Sequence, residues 1–157
     1  MPNHPLIVRL GRTRVFTRIA PHLLPACDLA FHRLTRGRLL PSRLFITTVI
    51  LHTTGHRTGT TRSTPLCAHH SPDGSWLVIA SNFGRADHPA WSTNLLHTPT
   101  ARITAGRHSH DVTAQLLSPE EKTTRRHSIL AALPVYDTYA ARTTRDIRVF
   151  QLTPRPY

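Results

Sequence analysis

Period-2 and period-3.6 patterns take turns along the chain, and they divide it into strands and short helices. Residues 45–51 are apolar and β-branched, as a buried strand requires. Residues 62–70 predict a second strand and residues 75–81 a third, joined through Asp73-Gly74, a strong hairpin turn pair. A short helix then carries Trp91, Leu95 and Leu96, opened by His88-Pro89 and stopped before Pro99. Residues 101–105 and 107–117 predict a hairpin about Gly106, with Val112, Ala114 and Leu116 alternating against Asp111, Thr113 and Gln115. Ser118, Pro119 and Glu121 make a capping box that starts a helix running through Ala132. Pro134 breaks it, a shorter helix carries Tyr136 and Tyr139, and residues 147–152 give the last strand. Mostly antiparallel strands closed into a barrel, with helices at the periphery, suit this order: an α+β, mainly β fold.

Before the strands, residues 4–36 mix Leu6, Ile7, Leu10, Phe16 and Ile19 with Arg9, Arg12, Arg14 and Arg18, then repeat the mixture after Pro21 and Pro25. This reads as one or two short amphipathic helices. Two placements follow: a lid packed on the barrel, which is favoured, or a peripheral contact with an anionic membrane surface. The organisation expected is a basic helical extension over residues 1–43 and a barrel over residues 44–157, one domain overall. No apolar stretch reaches the length of a membrane span, and the N-terminus lacks a signal-peptide pattern, so a cytoplasmic location is expected.

Composition adds one strong fact. The formal net charge is +12 with histidine neutral, and Lys122 is the only lysine among 20 basic residues. Such a field draws polyanions: nucleic acid, a membrane surface or an acidic cofactor. Aromatics make up only 6% and do not interleave with the strand arginines, which argues against a nucleic-acid-binding barrel. Cys27 and Cys67 are far apart in sequence and read as reduced thiols.

The densest chemistry lies in residues 53–65. Gly55 and Gly59 can bring backbone close to a ligand. Arg57 and Arg62 can each grip a phosphate or carboxylate with paired hydrogen bonds, and Thr54, Thr58 and Thr60 add hydroxyls. This is an anion-binding loop between two strands, or a solvated basic hairpin tip. A second segment follows: Ala80-Ser81, Gly84, Pro89, Trp91, Asn94-Leu95, then Pro99-Thr100-Ala101.

Together the two segments resemble the deazaflavin-dependent nitroreductase family, whose stretches read T-T-G-x-[KR]-[ST]-G-x-x-R-x-x-P-L and A-S-x-x-G-x-x-x-x-P-x-W-x-x-N-L. Arg57 holds the basic position, and Pro65-Leu66 closes the first stretch. The resemblance covers roughly residues 44–152 and implies a split β-barrel with bound coenzyme F420. It implies an F420H2-dependent oxidoreductase that passes a hydride to a small quinone, nitro or enone-type acceptor. Carried over by motif, Thr54, Gly55, Arg57, Thr58, Gly59, Arg62 and Pro65 would bind the cofactor, Arg57 and Arg62 holding its phosphate with loop amides and Thr58 or Thr60 assisting. Ser81 and Asn82 would lie along its ring or side chain, with Trp91 and Asn94 facing the same region; a plain core aromatic is the competing reading of Trp91, and a cap or brace for the loop that of Asn94. Ser81 and Tyr136 are the candidate catalytic groups, and Tyr136 and Tyr139 the candidate substrate contacts. Packing of both tyrosines against the barrel is the competing reading. Leu133 stands where some relatives carry a further tyrosine, and Phe83 where many have a small residue.

Alternatives stay open at this stage: an FMN-binding reductase on the same fold, a non-catalytic deazaflavin carrier, or a nucleic-acid module. Monomer and homodimer are both compatible. His69, His70, His108 and His110 could gather on adjacent strands, but no metal-ligand spacing accompanies them, so no metal is expected. Neither a nucleophile elbow nor a P-loop is present.

Overall fold

The computed structural model describes residues 48–156. The amphipathic extension expected before residue 44, and its lid or membrane role, lie outside the described residues, as do the first three positions of the expected first strand.

Six antiparallel strands close into a barrel in the order β1-β2-β3-β6-β5-β4. They are β1 (Thr48–Thr54), β2 (Thr61–His70), β3 (Trp76–Ile79), β4 (Thr100–Ala105), β5 (His108–Leu116) and β6 (Val149–Pro154). Four α-helices and a 3-10 turn (Asn82–Gly84) complete the described fold: α1 (Ala90–His97), α2 (Pro119–Thr124), α3 (Arg126–Ala132) and α4 (Tyr136–Ala140). The expected fold class holds.

Strand alternation builds two cores. Val49, Leu51, Trp76, Val78, Ile103, Val112, Phe150 and Leu152 point into the barrel. Trp91 and Leu95 of α1 join this interior cluster, and the Trp91 and Phe150 rings lie 5.9 Å apart. The second core lies on the outer face of β3 and β6, where Leu77, Ile79, Ile147 and Val149 meet Ile129, Leu133, Val135 and Tyr139. Because both faces of β3 are covered, all four of its residues are buried and it reads as an unbroken apolar run.

Three expectations change. The helix from Ser118 is two helices, broken at Arg125 (φ −96°, ψ 16°). The capping box forms as expected, but the Thr123 and Thr124 hydroxyls donate back to the Pro119 and Glu120 carbonyls at 3.1 Å, a pattern that bends helices. Leu116 does not continue the buried row of Val112 and is 43% exposed. Leu117 turns in instead, entering the second core with its N–H bonded to the Val149 carbonyl. The four histidines do not meet on adjacent strands, because β2 borders β1 and β3 whereas β5 borders β6 and β4. Among the described residues no group of three or more His, Cys, Asp or Glu side chains could hold a metal.

The ladder between β2 and β3 is short. It covers only Ala68↔Val78, His69↔Leu77 and His70↔Trp76. From Thr61 to Cys67, β2 pairs with β1 alone. Its other edge is parted from the barrel wall, and Pro65, which has no N–H to give, is tolerated there. Among the described residues no helix is long and apolar enough to cross a membrane.

Phe150→Ala removes the largest fully buried side chain of the interior and should cost about 3–5 kcal/mol. Leu116→Ala at the exposed end of its row should stay within about 0.5 kcal/mol. Urea unfolding midpoints of the two variants check the assignment of inside and outside.

Candidate functional site

The parted edge of β2 faces the segment between β3 and α1, and a cleft runs along the gap. One arm, of about 880 Å³, is lined by Gly55, His56, Arg57, Thr58, Arg62 and Thr64 on one side and Ala90, Trp91, Thr93 and Asn94 on the other. The second arm, of about 430 Å³, is lined by Pro65, Leu66 and Cys67 of β2, by Ile79, Ser81, Asn82, Phe83 and His88, and by Leu133. The arms share Thr64, Ala90 and Trp91, so they are two ends of one depression. The first end is polar and basic, and the second is mostly apolar.

The basic end is built by a six-residue connection between β1 and β2. Gly55 N–H donates to the Thr60 carbonyl at 2.8 Å, and Gly59 N–H to the Gly55 carbonyl at 2.7 Å. Gly59 sits at φ +67°. A Cβ on Gly55 would come within 2.8 Å of Thr58 Oγ1 and 3.2 Å of the Thr60 carbonyl, so any side chain there would crowd the turn and displace the Thr58 hydroxyl. Thr58 and Thr60 hydroxyls share a 2.7 Å hydrogen bond. Arg57 and Arg62 are exposed, and neither joins any of the ion pairs formed among the described residues. Two guanidinium groups without a carboxylate partner are therefore presented to the cleft.

Asn94 locks this loop to α1. It is 4% exposed, and its Nδ2 donates to Thr53 Oγ1 at 3.0 Å. Its Oδ1 accepts from the His56 backbone N–H at 3.1 Å and from His56 Nδ1 at 2.9 Å. The brace read from sequence is thus present, and it uses the amide oxygen twice and one of the two amide N–H donors. Trp91 is 5% exposed and belongs to the interior core, and it also lines both arms.

The apolar end depends on a strained turn. Asn82 (φ 45°), Phe83 (φ 57°) and Gly84 (φ 75°) are consecutive left-handed residues. Side chains rarely hold that region unless the surroundings impose it. Asn82 Nδ2 donates to the Asp87 carbonyl at 2.9 Å, bracing the segment. Gly84 sits so close to α4 that a Cβ would meet the Tyr139 carbonyl at 2.9 Å. Arg145 spans the segment from outside: its Nε donates to the Arg85 carbonyl at 3.0 Å and its Nη2 to the Ser81 carbonyl at 2.8 Å. Burial, and then Arg148, hold the Arg145 guanidinium below its ordinary value. Arg148 in turn donates to Ser92 and Thr93 hydroxyls at 3.3 Å, fastening α1 to the approach of β6. Ser81 Oγ makes no hydrogen bond among the described residues and lines the cleft.

Most sequence-predicted site residues converge on this depression: Gly55, Arg57, Thr58, Arg62 and Asn94 at one end, Pro65, Ser81 and Asn82 at the other, and Trp91 between. Gly59 acts in the turn itself. Thr54 lines a neighbouring polar depression instead, beside His52 and Thr104. Tyr139 is 3% exposed in the second core, tilted against Phe83 at 6.0 Å, and burial pushes its phenol up to about 12. Tyr136 is half-buried beside the same cluster, and burial, then Asp146 and Asp137, raise its phenol. From this part of the chain it is Leu133 that lines the cleft. Sequence reading missed Arg145, Arg148 and His56, and took His88 only as a helix opener. Only the adjacency of His56 to Gly55 offered a signal.

An amphipathic, planar anion fits this site: two guanidinium groups with no ion-pair partner among the described residues and a hydroxyl-rich turn at one end, Pro65, Leu66, Ile79 and Trp91 walls at the other. The model of the F420H(2)-dependent quinone reductase family matches residues 30–154. An F420H(2)-dependent quinone reductase of Mycobacterium tuberculosis (strain ATCC 25618 / H37Rv) is 33% identical over 132 residues, covering 80% of this chain and 87% of the relative. A solved F420-H2 dependent reductase (FDR-A) superposes with a TM-score of 0.60 at 32% identity, over 68% of this chain and 93% of its own. A structure described as a domain-swapped dimer gives a TM-score of 0.64 at 28% identity, over 80% of this chain and 94% of its own. The chain belongs to the F420H(2)-dependent quinone reductase family, an oxidoreductase family that works with coenzyme F420 rather than the FMN left open by the sequence.

Proposed function

We propose that this protein binds reduced coenzyme F420 along the parted edge of β2 and reduces a quinone-class acceptor beside it. The observation that carries the reading is the continuity of the two arms through Thr64, Ala90 and Trp91. When bound, the reduced deazaflavin supplies the hydride. The chain's own residues do the rest. Arg57 and Arg62 meet the phosphate and carboxylate groups of the tail, helped by the Thr58 hydroxyl and the turn of Gly55 and Gly59. Asn94 holds that turn against α1, so the two arginines and Trp91 keep a fixed relation. Pro65, Leu66, Ile79 and Trp91 exclude water from the ring end. Ser81 Oγ is free to donate to an oxygen there. Leu133 supplies an apolar wall, which suits a flat quinone better than a strongly polar acceptor.

Fluorescence titration with F420, run beside FMN and a short DNA duplex at near-physiological salt, tests the reading. Saturable binding of the deazaflavin, followed by oxidation of its reduced form with a soluble naphthoquinone, is expected. Preferential FMN binding, or F420 binding without turnover of any quinone, overturns it.

Arg57→Ala and Arg62→Ala should each weaken F420 binding by about 1.5–3 kcal/mol, roughly 10- to 100-fold, and flatten its salt dependence. Asn94→Ala leaves the Thr53 hydroxyl and the His56 N–H without their partner. It should cost about 1–3 kcal/mol of stability in urea unfolding and lower F420 affinity in the same variant.

A further inference from the structure

Arg145 does more than tie down carbonyls. Its Nη1 donates to the Ala80 carbonyl at 3.2 Å and lies 3.2 Å from His88 Nδ1. A guanidinium carries donors only, so Nδ1 of His88 must accept. The single proton of the neutral ring is then on Nε2. A doubly protonated ring would set one N–H against another. The charges around the ring favour the same state. Burial, followed by Arg148 and Arg145, holds His88 below its ordinary value, while Asp146 and Asp87 pull the other way. Nε2 has no partner among the described residues, and His88 lines the apolar arm together with Ser81.

We infer that His88 is a further active-site residue: a neutral imidazole whose Nε2–H donates to the carbonyl oxygen of the acceptor, with Arg145 the positioning residue that fixes its tautomer. The inference rests on the reductase reading. The quinone gains a hydride and one proton and is reduced to the hydroquinone. The same hydride and a proton leave the reduced deazaflavin, which is oxidised, and the proton passes through solvent. As the hydride arrives, an electron pair collects on the quinone oxygen. A fixed donor aimed at that oxygen lowers the barrier because it is already oriented. His88 keeps its proton throughout, so it serves as donor and not as acid.

Two measurements test this. Long-range proton–nitrogen NMR of the cofactor-free protein should show His88 protonated on Nε2 and bare on Nδ1, with that preference lost in Arg145→Ala. A proton on Nδ1 in the wild-type protein overturns the inference without reference to any cofactor. In turnover with a naphthoquinone, His88→Ala should lower kcat about 100-fold while F420 affinity is unchanged, and His88→Gln, which keeps an N–H donor, should recover part of the loss. Wild-type turnover by His88→Ala with F420 bound overturns the role of His88 and leaves the reductase reading standing. Failure of the wild-type protein to bind F420 overturns the reductase reading first.

Discussion

The architecture turns on where the ladder between β2 and β3 stops. Three register pairs hold the strands together at Ala68 to His70, and from Cys67 back to Thr61 the edge is open. An unpaired strand edge inside a barrel wall leaves backbone polar groups that must find other partners. Here the edge faces the 79–91 segment across the cleft, and the wall opposite β2 is set by how that segment is held. A full ladder would close the gap and remove the site.

Two fastenings keep the opposite wall in place. On the basic side Asn94 joins Thr53, His56 and α1 through one buried amide. On the apolar side Arg145 collects three carbonyls and one imidazole around a turn of three left-handed residues. Both are polar groups with their hydrogen-bonding capacity largely used, the condition under which partly buried polar networks add rigidity and not merely cost. Rigidity matters because the proposed chemistry asks the protein to hold two partners in register and keep water out, leaving the redox step to the cofactor.

The surplus charge takes on a local meaning in this setting. Of the basic residues, Arg102, Lys122 and Arg126 are paired with Asp111, Asp146 and Asp137. Arg145 and Arg148 serve as structural donors. Arg57 and Arg62 are left facing the cleft. Two of the charges behind the general attraction for anions thus stand together at one end of the depression.

The chain by itself determined the strand and helix content, the mainly β barrel class and the two segments that form the cleft. Each of these is written in local patterns: alternation in β5, the proline-led α1, the capping box at Ser118, and a glycine at the left-handed position of the 55–60 turn. Element ends drifted where tertiary contacts outrank pattern. Leu117 turns in for Leu116, the last strand runs on to Pro154 because Val112 pairs there, and threonine back-bonding breaks the helix before Arg126. Only the folded barrel decided that Arg145 and His88, 57 positions apart, meet at 3.2 Å. It also decided that Tyr139 is buried in the second core while Leu133 reaches the cleft. No local pattern carries such facts, because they depend on strand order: β3 and β6 are neighbours in the sheet, and that pairing alone brings the approach to β6 beside the exit from β3.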